Sequence, residues 1–592
     1  MLIKITAFCI ALGVSLIQGN TLDGIILDSK NSEPIPSANI QIKDTALGTS
    51  SDEKGRFSID INTRDSFELI ISVIGYRDTT LLVSNQKFEG VTTFYLHQMA
   101  VELDELNVHS HHHDKISKSP SSVSIFGNQF QKSTKNSLAS TLAGESGLAV
   151  RSFGQATERP ILRGYSGDRF LIARDGTELN DLSATSADHA VSTEISSMDG
   201  VEIIRGPESL LYGSNTIAGV INLSPLLSYQ TLLDNPVYKV ILGHESSNES
   251  NVAYFGTIIP KGNYQFSSSV SAREADNQLS PIGEVKNTAL SKSDIFTSLA
   301  KYNDNGYSIL SLENFKMSYG IPSSPGGHID GVDLKMKKLS QKFKYHADIN
   351  LGTFNTLDVE QGYVNYEHRE FENNKSYHAV LLSHVINYFK VDISSDIFKL
   401  GGLYQRKKFI AGGFYWTPNT YEDKLAIYAS KKGVIFGYDT DYSGRIEHRS
   451  IRPRSGETFF SNLDANEVRN RQFTLVSGGV SFFKEREYLS NYYQILFTSR
   501  APSIEDLYSD GPHLGNYAYE IGDPNLKQEN TLGFENTLSM FNSTSSFNLT
   551  SYINYSPNYH INTKMGDGYF PGAEWVEWGS GPIGWLYKYN LV

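Results

Sequence analysis

Cysteine is nearly absent: the sole cysteine of the 592 residues is Cys9. It sits in an apolar leader, so the mature chain offers no disulfide, thiolate metal site or cysteine nucleophile. Basic charge is also scarce, with 52 Lys+Arg against 65 Asp+Glu and a net charge of −13. That argues against a nucleic-acid binder, which needs a basic surface. After residue 19 no apolar run reaches about 18 residues, the length a helical span requires. Helical membrane spans are therefore excluded from the mature chain. A membrane β-barrel is not, because its alternating strands give only a weak hydropathy signal. No GxSxG, HExxH or P-loop is found, so no enzyme and no catalytic cofactor is expected.

What is present reads as β structure. Tyr 34, Phe 31 and Gly 49 point to strands and many turns. Residues 1–19 read as a secretory signal, with Lys4 ahead of the apolar Ile5–Ile17 and Gly19 at the cleavage position. Residues 21–98 hold short strands at Asp23–Asp28, Asn39–Lys43, Leu69–Ile74 and Thr79–Val83, with a turn at Gly48–Phe57. This spacing predicts a small β-sandwich. It resembles the carboxypeptidase-regulatory-like, transthyretin-type domain found ahead of many Bacteroidetes outer-membrane receptors. A generic immunoglobulin-like sandwich gives the same structural expectation.

Residues 99–120 read as a linker. Val101–Val108 alternates apolar and acidic residues, which suits a strand lent to a partner's sheet edge. His109, His111, His112 and His113 follow, four of the 15 histidines within five positions. Such tracts bind metal or serve as solvated linker. Residues 121–228 read as a compact α/β-like unit, with a helix at Ser137–Ala143 capped by Asn136 or Ser137 and a turn at Asp175-Gly176. From residue 235 the pattern becomes period two. Tyr264, Phe266, Ser268, Val270 and Ala272 share one face, and Asn303–Gly306 marks a hairpin turn between Ile295–Tyr302 and Tyr307–Phe315. This alternation predicts an antiparallel transmembrane β-barrel over 235–592. A soluble sandwich array or a β-helix would show the same alternation.

Two stretches carry a family resemblance. One is Arg159-Pro160-Ile161-Leu162-Arg163-Gly164-Tyr165, running on to Asp175-Gly176. The other is Val201-Glu202-Ile203-Ile204-Arg205-Gly206-Pro207 through Tyr212-Gly213-Ser214, closing with Ala218-Gly219-Val220-Ile221-Asn222-Leu223. Both resemble the plug of TonB-dependent outer-membrane receptors. The resemblance implies an importer in the outer membrane of a Gram-negative, Bacteroidetes-like bacterium, its N-terminal domain periplasmic. Its partners would be outer-membrane lipid, a small cargo and TonB. The TonB box would be Glu102, Leu103, Asp104, Glu105, Leu106, Asn107 and Val108, though a plain linker fits those residues too. Arg163 and Arg205 suit bidentate pairing with wall carboxylates, a plug latch, or pairing within the plug. Positions 235–592 give room for about 15 strands with their loops, short of the roughly 22 usual in such barrels. The chain closes on Asn590-Leu591-Val592 and not on a terminal aromatic. The expectation is a C-terminally incomplete barrel, and an open sheet edge in lipid is not viable.

Three segments address the cargo. Ser186-Ala187-Asp188-His189-Ala190 and the loop carrying His513 resemble zinc-type members of the family, where Asp and His are metal ligands. Tyr319-Gly320-Ile321-Pro322, followed by His328, resembles a third His-bearing loop but lacks its usual second histidine. Zinc takes imidazole nitrogen and carboxylate oxygen, so Asp188, His189 and His513, with His328 as a weaker candidate, form the expected set. The transported ion would be zinc or a similar divalent metal. The plainer alternative makes Asp188-His189 a hydrogen-bonding loop pair and His513 a solvated residue. A receptor for a siderophore, haem or cobalamin chelate, and a surface adhesin anchored by the barrel, are the competing functions.

Overall fold

In the computed structural model, residues 21–42, 48–61, 66–73, 76, 79–84, 91–96, 122–227, 230–323, 331–372, 378–413, 417–454, 466–486, 488–513, 518–542, 545–567 and 585–591 are described. The expected leader, the segment 102–108, the tract 109–113 and His328 lie outside the described residues. The chain divides into two compact units. The first is the N-terminal β domain, grouped with residues 487–489 and 539–548; the second is the remainder.

The N-terminal domain pairs two sheets. Its strands are β1 (Thr21–Asp28), β2 (Asn39–Ile42), β3 (Gly48–Ser50), β4 (Arg56–Asp60), β5 (Ser66–Ser72), β6 (Thr79–Ser84) and β7 (Thr92–Leu96). They form sheets β4-β1-β7 and β3-β2-β5-β6. Period-two alternation sends Leu22, Ile26, Ile40, Phe57, Leu69 and Ile71 into one shared core. This is the sandwich that the strand spacing predicts.

The plug follows. Its strands are β8 (Val123–Phe126), β9 (Leu148–Arg151), β10 (Arg159–Leu162), β11 (Leu171–Arg174), β12 (Thr177–Glu178), β13 (Met198–Ile204) and β14 (Val220–Pro225). Five of them form a mixed sheet ordered β12-β11-β14-β13-β8, with β11 and β14 parallel. The helix at Leu138–Leu142 starts on Ser137, whose hydroxyl accepts the Ser140 N–H in a capping box. Asp175 and Gly176 both take positive φ, 51° and 76°, and turn the chain between β11 and β12.

The wall is an antiparallel sheet of 15 strands. It begins with β15 (Val237–Glu245), β16 (Ser250–Lys261) and β17 (Tyr264–Ala275); β18 (Gln278–Ser280) and β19 (Gly283–Val285) form a separate hairpin. It continues through β20 (Leu290–Asn303), β21 (Gly306–Ile321), β22 (Val332–Leu351), β23 (Phe354–Glu372) and β24 (Val380–Ser394). Next come β25 (Phe398–Gly413), β26 (Thr420–Ile435), β27 (Tyr438–Pro453), β28 (Arg471–Arg486) and β29 (Leu489–Arg500). After β30 (Asp510–His513) and β31 (Ala518–Ile521), the wall ends with β32 (Glu529–Phe541) and β33 (Ser546–Tyr555). β34 (His560–Asp567) and β35 (Trp585–Leu591) join β30 and β31 in a four-stranded sheet.

The wall is inverted relative to a soluble protein. On β17, Tyr264, Phe266 and Val270 are exposed while Gln265, Ser267, Ser269, Ser271 and Arg273 are buried. Apolar residues face outward and polar ones face the plug, as a lipid-spanning barrel requires. The hairpin expected at 303–306 is present, with Asn303 paired to Gly306.

Buried charge joins plug to wall. Arg163 forks onto Glu535 at 2.5 and 3.2 Å, and Arg169 forks onto Glu529 at 3.0 Å. In the reverse sense, wall Arg500 holds plug Asp168 at 2.9 Å and wall Arg273 holds plug Glu194 at 3.0 Å. Arg205 lies buried beside Arg163, in the field of the same Glu535; burial and the Arg163 charge press its pKa down to about 10. Gly206, next to it, has φ 82°, and a Cβ there would lie 2.3 Å from the Gln494 side chain. Only glycine allows that approach of plug to wall.

Glu529 tests this latch, because it is shared by Arg169 and Arg500 at 3.0 and 3.3 Å. Glu529→Ala removes the carboxylate partner of Arg169, while Arg500 keeps Asp168 and Asp506, so the expected cost is at most the about 3–5 kcal/mol of a broken buried pair. Hydrogen exchange in β11 and β14 is expected to accelerate while the wall stays protected. Unchanged plug exchange would refute the role of these pairs.

Candidate metal centre

The plug segment between β12 and β13 is stapled by one side chain. The Asp181 carboxylate accepts from the backbone N–H and hydroxyl of Ser183 (3.0 and 2.7 Å) and of Ser192 (2.8 and 2.9 Å). Residues 181–192 are thereby closed into a compact loop. Within it, His189 Nδ1 lies 3.1 Å from the Leu182 carbonyl and 3.1 Å from the Thr185 hydroxyl. A carbonyl can only accept, so Nδ1 carries a proton, and Nε2 is the nitrogen whose lone pair is free whenever the ring is neutral. Tyr319 of β21 clamps the loop to the wall. Its hydroxyl donates to the Asp188 carbonyl at 3.1 Å and accepts the Ala190 N–H at 3.2 Å.

The wall supplies the facing groups. Strand alternation turns both His368 and Glu370 of β23 inward, 0% and 1% exposed. His513 lies on β30, in the long connection after β29. The connection is braced by the helix Ile504–Tyr508, which Ser503 and Asp506 cap reciprocally. His513 Nε2 stands 3.3 Å from Asp188 Oδ1, and its Nδ1 stands 3.3 Å from Glu520.

Asp188, His189, Glu370 and His513 thus converge, with one ligand atom from each lying within 4.8 Å of the others. His189 Nε2 is 3.7 Å from Glu370 and 4.0 Å from Asp188 Oδ2. Two donors come from the plug and two from the wall. All four are buried, the most accessible being His513 at 5%. Asp188 Oδ2, His189 Nε2, Glu370 Oε2 and both His513 nitrogens lack an aligned hydrogen bond. Buried polar atoms normally have partners, so four residues each bringing one ligand atom to this point form a donor set poised for a cation, with the second His513 nitrogen facing Glu520.

The electrostatics agree. Burial alone would raise the Asp188 pKa, but the His513 and His189 charges hold it far below the usual carboxylate range. The same attraction outweighs burial at His189 and His513 and raises both, His513 strongly. The carboxylates demand positive charge, which protons on the histidines or a metal ion can supply.

Of the residues singled out in the sequence, Asp188, His189 and His513 are brought together here. Sequence reasoning missed Glu370 and its neighbour His368, whose ring lies 4.5 Å from that of His189. The signal available was the His-x-Glu spacing on a period-two strand, which puts both side chains on the lumen face.

Comparison with known proteins bears on this architecture. Residues 22–108 match the CarboxypepD_reg-like domain, and residues 115–220 match the TonB-dependent Receptor Plug Domain. Among solved structures, the chain is similar to the copper transporter OprC, with TM-score 0.63 and 14% identity over 80% of this chain and 75% of that one. It is also similar to the Serratia marcescens hemophore receptor HasR, with TM-score 0.60 and 11% identity over 80% and 77%. The siderophore receptor PirA from Pseudomonas aeruginosa gives TM-score 0.56 and 13% identity over 80% of each chain. These likenesses show a shared fold. The chain thus carries a CarboxypepD_reg-like domain and the plug domain of TonB-dependent receptors, and it shares its fold with solved structures of such receptors.

Proposed function

We propose that this receptor imports zinc or a similar divalent cation, held by Asp188, His189, Glu370 and His513. The observation that carries this reading is the buried convergence of two imidazoles and two carboxylates within 4.8 Å. Ligands about 2.0–2.2 Å from a tetrahedral zinc lie roughly 3.3–3.6 Å from one another. The contacts of 3.3, 3.7 and 4.0 Å, in a set whose ligand atoms lie within 4.8 Å of one another, must contract to reach that. An organic chelate finds no room between groups this close. The copper transporter among the structural neighbours fits metal cargo, while the hemophore and siderophore receptors keep the chelate reading as the competitor. Intrinsic affinity ranks copper above zinc, so selectivity rests on the four-donor geometry.

Mechanism follows from the division of donors. The wall keeps Glu370 and His513; the plug carries Asp188 and His189. Displacing the plug loop halves the donor set, and the ion loses affinity as the lumen opens. In this proposal TonB draws on Glu102–Val108 to cause that displacement, and the Arg163–Glu535 fork is one of the latches it must work against.

Asp188→Ala with His189→Ala is expected to abolish growth on limiting zinc and calorimetric zinc binding, with normal surface levels. Normal growth of that variant sinks the ligand assignment. A well-folded wild type that binds a ferric siderophore and no zinc moves the cargo to a chelate.

The donors should grade in strength. His368→Ala, which removes a neighbour of the donors, is expected to weaken zinc binding about 10–100-fold. Glu370→Ala removes a donor and should weaken it further. Equal affinity of wild type and Glu370→Ala in calorimetry would remove Glu370 from the site.

Deleting residues 102–108 should abolish uptake of radioactive zinc and leave zinc binding intact. Uptake at the normal rate would favour a surface binding protein over a TonB-driven importer.

A further inference from the structure

We propose that wall residues Asp294 and Glu313 form a second cation seat, which Arg174 of the plug fills at rest and a transported divalent cation takes over when the plug shifts. The inference rests on the reading of this receptor as a cation importer, and concerns where the ion goes once the first centre opens.

Asp294 lies on β20 and Glu313 on β21. Asp294 is paired with Phe315, so Glu313 is its diagonal neighbour on the lumen face. Arg174, the last residue of β11, holds both: it ion-pairs with Glu313, and its Nη1 is 3.9 Å from Asp294. The two carboxylates are 11% and 2% exposed. Asp294 Oδ2 meets the Ser197 hydroxyl at 3.5 Å, while its buried Oδ1 has no hydrogen bond. Two wall ammoniums face the same place but are engaged elsewhere. Lys338 donates to the Ser192 carbonyl and hydroxyl at 3.0 Å, and Lys342 lies 3.8 Å from both Asp175 and Glu360. One guanidinium therefore answers two buried carboxylates, the reverse of Glu529, where two guanidiniums share one carboxylate.

The seat lies below the first centre. Tyr319, which clamps the ligand loop, is six residues from Glu313 along β21, or roughly 20 Å at about 3.3 Å per residue. Arg174 and Glu313 line a cavity of about 110 Å³. Asp175, Tyr307 and Lys344 border both this cavity and a larger one of about 1080 Å³. The larger one reaches Asn303 and Asp304, at the short turn between β20 and β21. Short turns mark the periplasmic end of such a wall.

Arg174 is joined to the ligand loop through the Asp175-Gly176 turn and the edge strand β12. Displacing that loop pulls on Arg174, and withdrawing its guanidinium leaves two buried carboxylates without their cation. A divalent ion then supplies two charges where the guanidinium supplied one. Zinc accepts carboxylate oxygen, but an all-oxygen seat suits it less well than one with imidazoles. The seat therefore receives the ion without trapping it.

Calorimetry with zinc on the full-length receptor tests this. Arg174→Ala is expected to raise the stoichiometry from roughly one to roughly two zinc ions per chain, the added site being the weaker. Adding Asp294→Asn and Glu313→Gln should return it to roughly one. A single site in Arg174→Ala, with wild-type hydrogen exchange in β11 and β14, overturns the proposal. No zinc on the wild type but a lone site in Arg174→Ala supports the seat and overturns the reading of the first centre instead. Glu313→Gln alone keeps the Arg174–Asp294 contact and covers the case in which Arg174→Ala fails to fold. It should slow uptake of radioactive zinc several-fold with unchanged affinity at the first centre. Uptake by Glu313→Gln at the wild-type rate also overturns the proposal.

Discussion

A wall that is apolar toward lipid must turn its polar residues inward, and whatever fills the lumen must then meet buried charge with charge. That constraint organises the structure. Arg273, Glu529, Glu535 and Arg500 are at most 2% exposed, and none would be tolerable at such depth without a partner. The plug supplies those partners in both senses: Arg163 and Arg169 to wall carboxylates, Asp168 and Glu194 to wall guanidiniums. The plug is therefore an electrostatic complement of the lumen, more than a hydrophobic stopper.

Against that background the metal centre is the place where the matching is incomplete. Asp188 and Glu370 are buried like the other carboxylates, but they face imidazoles in place of Lys or Arg. A guanidinium is a permanent cation; an imidazole is a conditional one that yields its proton to a metal. Under the proposed function, substituting the conditional for the permanent partner turns a structural ion pair into a place for a metal cation. The same physics thus explains both the latches and the site, and the difference between them lies in one residue type.

The sequence disclosed the architecture well because its signals are local. Alternation along Tyr264–Ala272, the Asp175-Gly176 turn and the Ser137 cap each depend on a few adjacent residues, and each occurs where read. The plug half of the centre was legible through the resemblance of Ser186–Ala190 to zinc-type receptors, which needs only adjacent residues. The wall half was only partly so. His513 stood out through resemblance, but Glu370 sits on a strand whose inward face also carries Tyr366, Val364 and Glu360. Choosing among them requires knowing which height of the wall meets the loop, and that depends on register summed over many hairpins. The Arg163 partner, Glu535, is 372 residues away and was invisible on the same grounds.

The ligand loop differs from the rest of the plug in how it is held. Asp181 staples residues 181–192 to themselves, so the loop keeps its shape without the wall. Its grips on the wall include the Tyr319 hydroxyl, the Lys338 ammonium on Ser192 at 3.0 Å and the His384 ring on the Asn180 carbonyl at 2.8 Å. The neutral bonds among these are worth about 0.5–1.5 kcal/mol each and that of the charged Lys338 about 1.5–3 kcal/mol, whereas breaking a buried ion pair costs about 3–5 kcal/mol. At its edge, β12 is a two-residue strand bound to β11 alone in its sheet. The part of the plug that carries Asp188 and His189 is thus self-supporting, and its remaining grips on the wall are the Asp188–His513 and His189–Glu370 contacts of the candidate centre itself. Strong latches elsewhere can hold the plug in the lumen while this loop shifts, so the donors separate before the seal fails. Under the proposed function, a cation shared between loop and wall adds its own bonds to that fastening, so the loaded receptor is the more tightly closed one.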